Sequence, residues 1–176
     1  SGDMVEKLEA CTIVCAPKES ENNAFAGEVA KYTSFKYRLN SGGRREFYNS
    51  SSIDKNIPSI LFERGGHGDW SREEVDADKS DLINIMKFLK VLPGEAVLNE
   101  SQVFVKRHEW AEAEATGLLY MFVAAGDDVK EGQKLAEICD MFGNVINEVY
   151  AKFDGHVLII ASTLAIKKGD DLITYG

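Results

Sequence analysis

Short runs of apolar residues recur along the first half of the chain. Thr12–Cys15, Phe35–Leu39 and Ser59–Phe62 are each four or five residues long and are bounded by proline, glycine or polar residues. Runs of this length favour buried strands, because helices usually need about ten positions or more. The first half therefore contains three predicted strands.

Two segments of helical spacing accompany these strands. Asn23 is a suitable N-cap for the first helix, and the clearer second helix follows Asp78 and ends at Pro93-Gly94. Strands that alternate with helices predict an α/β fold with a mostly parallel sheet covered by helices. The apolar positions are Phe25, Val29 and Tyr32 in the first helix and Leu82, Ile85, Met86 and Leu89 in the second.

The second half of the chain has a different pattern. Short strand candidates are separated by glycine turns, which predicts a small all-β, barrel-like domain. We place the boundary near Pro93-Gly94, so that residues 1–95 form the α/β part and residues 96–176 the β-rich part. The strand candidates are Gln102–Lys106, Leu118–Val123, Lys134–Ile138, Val145–Tyr150, Val157–Ile160 and Leu172–Thr174.

Composition excludes several classes of protein. The 176 residues carry a net charge of −9 without a basic block, so neither nucleic acid nor an anionic membrane is an expected partner. The longest apolar runs, Gly117–Ala125 and Val157–Ile166, are much shorter than the roughly 20 residues that span a bilayer. Three cysteines indicate reduced thiols and a cytoplasmic location. Cys11 and Cys15 share a face of the first strand and are expected to be buried structural residues.

Glu63 is the first candidate for chemistry. It follows the run Ser59–Phe62 and precedes Gly65-Gly66. Ligand sites in open parallel sheets gather beyond the carboxyl ends of strands, where a half-buried carboxylate can have a raised pKa and act as a general base. The same pattern is also typical of a strand that ends in a charged residue where the chain reaches solvent, with no functional role. The glycines likewise indicate either a close approach to a ligand or a plain surface loop.

Arginine and histidine residues supply further candidates. Arg44 and Arg45 follow a glycine pair and are candidate substrate-binding residues, because guanidinium groups hold carboxylates through paired hydrogen bonds. The same two arginines are also typical of the exposed end of a loop. His67 is a third substrate-binding candidate. Together with His108 and His156 it forms no His-x-x-Glu pair, so the chain does not encode a complete zinc site.

Two glycine-containing motifs in the second half are similar to the biotinyl and lipoyl carrier fold. They are Gly126–Leu135 and Ala151–Val157. Those carriers present a modified lysine at a hairpin tip between the motifs. The corresponding tip here, Asp140–Asn144, contains no lysine. The resemblance implies a barrel-like fold without the carrier function.

Three stretches of the chain occur together in one known family. Asn56–Gly66 reads Asn-Ile-Pro-Ser-Ile-Leu-Phe-Glu-Arg-Gly-Gly, a predicted helix ending at Pro93-Gly94 follows it, and the β-rich segment Gly117–Gly176 completes the set. Together they resemble the C-terminal part of the succinylglutamate desuccinylase/aspartoacylase family. These proteins are zinc-dependent deacylases related to the metallocarboxypeptidases. The resemblance covers nearly the whole chain and implies a zinc-carboxypeptidase-like sheet.

The resemblance also implies where the chemistry resides. In the family, two zinc ligands come from a His-x-x-Glu motif and a third from a histidine in an Asp-Leu-His stretch, and these are expected upstream of Ser1. The chain by itself is then expected to be inactive. Glu63 corresponds to the catalytic glutamate, which accepts a proton from the attacking water and delivers it to the leaving amine.

The function implied is hydrolysis of the amide bond of an N-acyl amino acid or a related small acylated amine. Two alternatives stay open, namely carboxypeptidase-type cleavage of a peptide and a non-catalytic binding or scaffold module. If residues 1–92 are half of a larger sheet, an uncovered apolar edge predicts self-association into a homo-oligomer.

Overall fold

The computed structural model describes residues 5–15, 20–41 and 55–176. Two compact units are present, an α/β unit within residues 10–64 and 70–106, and a β-rich unit comprising residues 5–9, 65–69 and 107–176. In chain order the elements are β1 (Glu6–Leu8), β2 (Cys11–Val14), α1 (Glu21–Ala30), β3 (Tyr37–Asn40), β4 (Ile60–Glu63), α2 (Arg72–Phe88), β5 (Val103–Phe104), β6 (Glu109–Glu112), β7 (Gly117–Met121), β8 (Asp128–Val129), β9 (Lys134–Cys139), β10 (Val145–Tyr150), β11 (Gly155–Ala161), β12 (Ala165–Ile166) and β13 (Asp171–Tyr175).

A four-stranded mixed sheet forms the centre of the α/β unit, with strand order β4-β2-β3-β5. β2 pairs in parallel with β3, and β3 with β5, whereas β4 runs antiparallel to β2. The expectation of a mostly parallel sheet is therefore corrected, since one of its two outer strands is reversed. β5 belongs to this sheet, and the change to the β-rich unit follows Lys106.

Both described helices begin at serine caps. Ser20 Oγ accepts a hydrogen bond from the backbone N–H of Asn23 at 3.1 Å, so the cap of α1 is Ser20 rather than Asn23. In α2, Ser71 Oγ accepts from the backbone N–H of Glu74 at 3.1 Å, while Glu74 Oε2 accepts from the backbone N–H of Ser71 at 2.9 Å. This reciprocal capping box satisfies two backbone donors and sets the start of α2 at Arg72.

The β-rich unit contains two antiparallel sheets. One has the order β1-β11-β13-β6, with β8 also pairing with β11, and the other has the order β10-β9-β7-β12. Strands from both sheets contribute buried side chains to one hydrophobic core, which explains the apolar alternation in this half of the sequence. The core residues include Leu119, Leu135, Ile138, Val157, Leu172 and Ile173.

Neither α1 nor α2 has the length and apolar character that a membrane-crossing helix needs, and these are the helices of the described residues.

Candidate functional site

Glu63 is the last residue of β4 and is half-buried. In the antiparallel pairing it lies opposite Cys11, the first residue of β2, and Cys11 in turn lies opposite Tyr37, the first residue of β3. Glu63 is therefore at the amino ends of the parallel strands. The expectation that it lies beyond their carboxyl ends is wrong, because it assumed that β4 runs in the same direction as β2 and β3.

One face of β4 packs against α1 and against the ring of Phe35. Ile60 packs against the α1 side chains in a small core cluster, and the Phe62 ring lies 4.9 Å from the ring of Phe35. The guanidinium of Arg64, two positions further on, lies 4.2 Å from the same Phe35 ring. Since successive residues of a strand project to opposite faces, Glu63 projects away from this helix-packed face.

Arg64 fixes the chain immediately after Glu63. Its Nε–H donates to Asp78 Oδ1 at 2.9 Å, and its Nη2 donates to Asp81 Oδ2 at 3.2 Å and to Ser34 Oγ at 3.3 Å. Asp78 and Asp81 are three residues apart and share one side of α2. The arginine therefore ties the end of β4 to α2 through a forked, charge-assisted contact.

Asp81 is the buried partner in this network, with 4% of its surface exposed. Besides Arg64, it accepts hydrogen bonds from the Ser34 backbone N–H at 2.7 Å and from Ser34 Oγ at 2.9 Å. A buried carboxylate needs such compensation, because removal from water is costly for an unpaired charge. The sequence alone did not indicate the network of Arg64, Asp78 and Asp81. The i,i+3 aspartate spacing on α2 was visible, but nothing in it identified Arg64 as the partner.

The glycines after Glu63 belong to the β-rich unit, where they contact protein backbone. Gly66 forms an isolated β-bridge with Lys7. A Cβ on Gly66 would lie 3.0 Å from the Glu6 carbonyl oxygen, and the residue has φ +154°. The close approach shown here is to the backbone of β1, whereas the sequence favoured either a ligand or a plain surface loop.

His67 also lies in the β-rich unit and is exposed. Its backbone N–H donates to the Glu6 carbonyl at 2.8 Å, and its Nδ1 lies 3.2 Å from Ser162 Oγ. These contacts position the loop against β1. The other two binding candidates, Arg44 and Arg45, lie outside the described residues.

The described histidines and cysteines have local partners. His156 Nδ1 lies 2.8 Å from Asp128 Oδ1, and the ring of His108 packs edge-on against Trp110. Cys11 and Cys15 are fully buried, as expected from their shared strand face. Within residues 5–15, 20–41 and 55–176, no three His, Cys, Asp or Glu side chains form a group that could hold a metal ion.

Several exposed charges of the β-rich unit have shifted pKa values. Hydrogen bonds from Lys134 to Glu137 and Glu148 raise the pKa of the lysine, and the pKa of Glu148 is lowered by the same lysine. Hydrogen bonding from Lys130 lowers the pKa of Asp154. These shifts favour the charged forms of Lys134, Glu148 and Asp154.

Several solved structures have a similar fold. The apo ectoine utilization protein EutE (DoeB) from Ruegeria pomeroyi superposes with a TM-score of 0.81 and 21% sequence identity, covering 100% of this chain and 57% of that chain. A succinylglutamate desuccinylase/aspartoacylase from Rhodobacter sphaeroides gives 0.77 and 19%, covering 98% of this chain and 54% of that chain. A succinylglutamate desuccinylase from a Silicibacter species gives 0.77 and 18%, with the same coverages.

These similarities define the class of fold. The chain has the fold found in solved structures of the succinylglutamate desuccinylase/aspartoacylase family, which confirms at the level of fold the resemblance inferred from the sequence. It spans a little over half the length of those proteins. No family model matches the chain, and no curated protein matches it.

Proposed function

We propose that this chain forms part of a deacylase that hydrolyses the amide bond of an N-acyl amino acid or a related small acylated amine. The proposal rests on Glu63. This carboxylate occupies the glutamate position of the Ile-Pro…Glu-x-Gly-Gly motif, in a fold shared with proteins named as desuccinylases and aspartoacylases.

The local structure around Glu63 suits a group that transfers protons. The carboxylate is half-buried at the end of β4 and projects away from the helix-packed face. Arg64, the next residue, is held by Asp78 and Asp81, so the backbone that carries Glu63 is fixed on its C-terminal side. Catalytic groups on fixed elements keep the geometry that a reaction requires.

Glu63 is assigned the role of general base and then general acid. Its carboxylate accepts a proton from water as the water oxygen bonds to the amide carbonyl carbon, and it delivers that proton to the nitrogen as the carbon–nitrogen bond breaks. The products are a carboxylate and an amine. General acid–base catalysis of this kind typically contributes about 10²–10⁴-fold to the rate.

A zinc requirement is implied by the family resemblance, and the described residues do not fit it. They contain no group of three His, Cys, Asp or Glu side chains suitable for a metal. The zinc ligands are therefore assigned to other residues, and no step above is routed through a metal. Elemental analysis should find zinc in the active protein, and dialysis against a chelator should abolish turnover.

Substrate classes distinguish this proposal from its alternatives. A deacylase should release free amine from N-acetyl and N-succinyl amino acids, whereas a carboxypeptidase-type enzyme should release the C-terminal residue of a peptide. The hairpin tip between β9 and β10 contains no lysine, so we propose no carrier role.

The test is amine release from an N-acyl amino acid panel by the protein that contains this chain, with a C-terminally blocked and an unblocked peptide as comparison substrates. Hydrolysis of the acyl amino acids alone supports the proposal. Hydrolysis of the unblocked peptide alone contradicts it in favour of carboxypeptidase chemistry. No turnover of any substrate by zinc-loaded, folded protein contradicts it in favour of a scaffold.

A further inference from the structure

β10 is an outer strand of the sheet with the order β10-β9-β7-β12. Its six residues, Val145–Tyr150, pair with β9. Within the described residues, no other strand pairs with β10, and no backbone hydrogen bond joins it to a loop. An outer strand has a row of backbone N–H and C=O groups that point away from its neighbour. β10 can therefore pair with one further strand.

β10 is the longest outer strand in the two sheets of the β-rich unit. The other three, β1, β6 and β12, have three, four and two residues. Short length, proline and lysine are common features that protect an outer strand from pairing with another chain. β10 is longer and contains neither proline nor lysine. The irregularities in its pairing with β9 lie toward its two ends, and the pairing is regular over residues 147–149.

The apolar side chains of β10 are accessible at both ends of the strand. Val145 and Ile146, at its start, are 48% and 47% exposed, and Tyr150, at its end, is 47% exposed. The hairpin tip that precedes β10 adds the exposed side chains of Met141 and Phe142. Apolar surface beside an open strand edge is typical of a site of protein association.

The order of apolar and polar residues in β10 is symmetric. Two apolar residues begin the strand, Asn147 and Glu148 form its centre, and Val149 and Tyr150 end it. In an antiparallel pair of identical strands, the start of one strand meets the end of the other. The apolar ends then meet each other, and the polar centres do the same. β10 therefore complements a second copy of itself about a two-fold axis.

The charge at the centre of β10 has a partner within the chain. Glu148 Oε1 lies 2.6 Å from Lys134 Nζ, and this hydrogen bond lowers the pKa of the glutamate. Two copies of Glu148 near a two-fold axis repel each other, because like charges on paired strands are destabilising. The lysine that accompanies each glutamate offsets part of this repulsion, although Lys134 also pairs with Glu137.

We propose that β10 is the interaction surface for a second copy of this chain, with the two strands paired antiparallel about a two-fold axis near Asn147 and Glu148. Each copy contributes one β10, so the contact closes as a dimer and does not extend into a fibre. The opposite outer strand, β12, has two residues and offers little backbone for further pairing. The surface is separate from the chemistry assigned to Glu63, and its test requires no turnover.

The test combines sedimentation equilibrium of the full chain over a range of concentrations with hydrogen exchange of the β10 amides measured by NMR. The average mass should rise from that of a monomer toward that of a dimer. Over the same range, the outward-directed amides of β10 should exchange at least about tenfold more slowly, because they gain hydrogen-bond acceptors. The amides of β12 should not change and are the internal control.

Substitutions locate the contact on β10. Ile146→Lys should weaken dimerisation by about tenfold or more, because lysine on an outer strand disfavours pairing with another chain. Leu164→Lys is the matched control, since Leu164 is a 58% exposed apolar residue between β11 and β12 and the change in charge is the same. This control should dimerise as the unsubstituted chain does. Val145→Lys replaces Ile146→Lys if that variant does not fold.

Three results would overturn the proposal. A monomer at every concentration up to about 1 mM would mean that β10 does not pair with a second copy. A dimer without protection of the β10 amides, or one that Ile146→Lys and Leu164→Lys weaken equally, would place the contact on another surface. A monomer whose β10 amides are protected by an added Val-Thr-Val-Thr-Val peptide would assign the strand edge to an extended peptide instead.

Discussion

Arg64 and Asp81 show how one residue's burial depends on another's charge. Asp81 is nearly inaccessible to water and receives hydrogen bonds from both Ser34 and Arg64. Arg64 in turn lies over the Phe35 ring, where its guanidinium exchanges water for an aromatic face and two carboxylates. The two side chains therefore stabilise each other, and loss of either leaves the other poorly compensated.

Asp81→Ala should destabilise the protein by about 3 kcal/mol, the usual cost of breaking a buried ion pair by removing one partner. The Arg64 contact to Asp78 and the Ser34 hydroxyl stay in place but do not replace the buried carboxylate. Urea unfolding, compared at constant m-value, measures the change. Asp76→Ala, an exposed position on the same helix, is the control and should change stability by less than about 0.5 kcal/mol. A loss for Asp81→Ala as small as the control's would contradict a stabilising role for the pair.

At this scale the sequence proposed Glu63 as a site residue but did not predict the side chains around it. Glu63 became a candidate because its motif is contiguous in the chain. The partners of Arg64 lie 14, 17 and 30 positions away, and pairing over such distances depends on how the helix packs on the sheet. The direction of β4, which determines where Glu63 lies, also depends on packing between distant parts of the chain.

The start of α2 is defined by its cap rather than by its apolar residues. The first two turns of α2 are mostly polar, so apolar spacing predicted a start after Asp78. The Ser71 and Glu74 capping box was visible in the sequence and sets the helix start six residues earlier than Asp78, at Arg72. Strands β8 and β12, of two residues each, were missed because alternation over so few positions is indistinguishable from a turn.

Ser71→Ala should destabilise the protein by about 1 kcal/mol, because the backbone N–H of Glu74 loses its acceptor. Ser71→Asp should recover most of the loss, since an aspartate oxygen accepts the same hydrogen bond and its charge is favourable at a helix N-terminus. Thermal unfolding of both variants measures this. Equal destabilisation by alanine and aspartate would contradict the capping role.

The hairpin between β9 and β10 should depend on pH through Asp140. Its side chain accepts from the Asn144 side-chain amide at 2.8 Å and from the backbone N–H groups of Phe142 and Asn144, and these hydrogen bonds lower its pKa from 3.8. Because the folded-state pKa is the lower one, the stabilisation is present above pH 3.8 and is lost as pH falls through the folded-state value.

Amide resonances of Phe142 and Asn144 should therefore remain constant near neutral pH and shift together in the acid range. Asp140→Asn should remove this transition. A transition that persists in the Asp140→Asn variant would assign the pH dependence to another group.

At the scale of the whole molecule, β-sheet dominates the described residues, with a mixed sheet in one unit and antiparallel sheets in the other. The alternation of strand and helix correctly predicted the class of the first unit, and the glycine turns predicted the β-rich character of the second. Sheet order and strand direction could not be predicted, because the β2–β4 pairing joins residues about 50 positions apart whose patterns fit either direction.

Self-association through an uncovered edge of the sheet in residues 1–92 remains a prediction, and the hairpin tip in the β-rich unit is a second surface that favours association. Met141 and Phe142 are 79% and 92% exposed, and the Asp140 hydrogen bonds hold this turn in a defined conformation. Exposed apolar groups of this kind favour association. Sedimentation velocity should detect oligomers that Phe142→Ser weakens. Lys130→Ser, on an exposed turn of the same unit, is the control, and an equal effect of both substitutions would exclude the hairpin tip.

The assignment of Glu63 as the proton-transferring group is tested most directly by the kcat of Glu63→Gln in the protein that contains this chain. The assay uses saturating N-acyl amino acid and includes Glu73→Gln, on the exposed first turn of α2, as a matched control. Glutamine keeps the size of the side chain but cannot accept the proton, so kcat should fall by about 10²–10⁴-fold with KM little changed. A kcat for Glu63→Gln equal to that of Glu73→Gln would contradict the assignment.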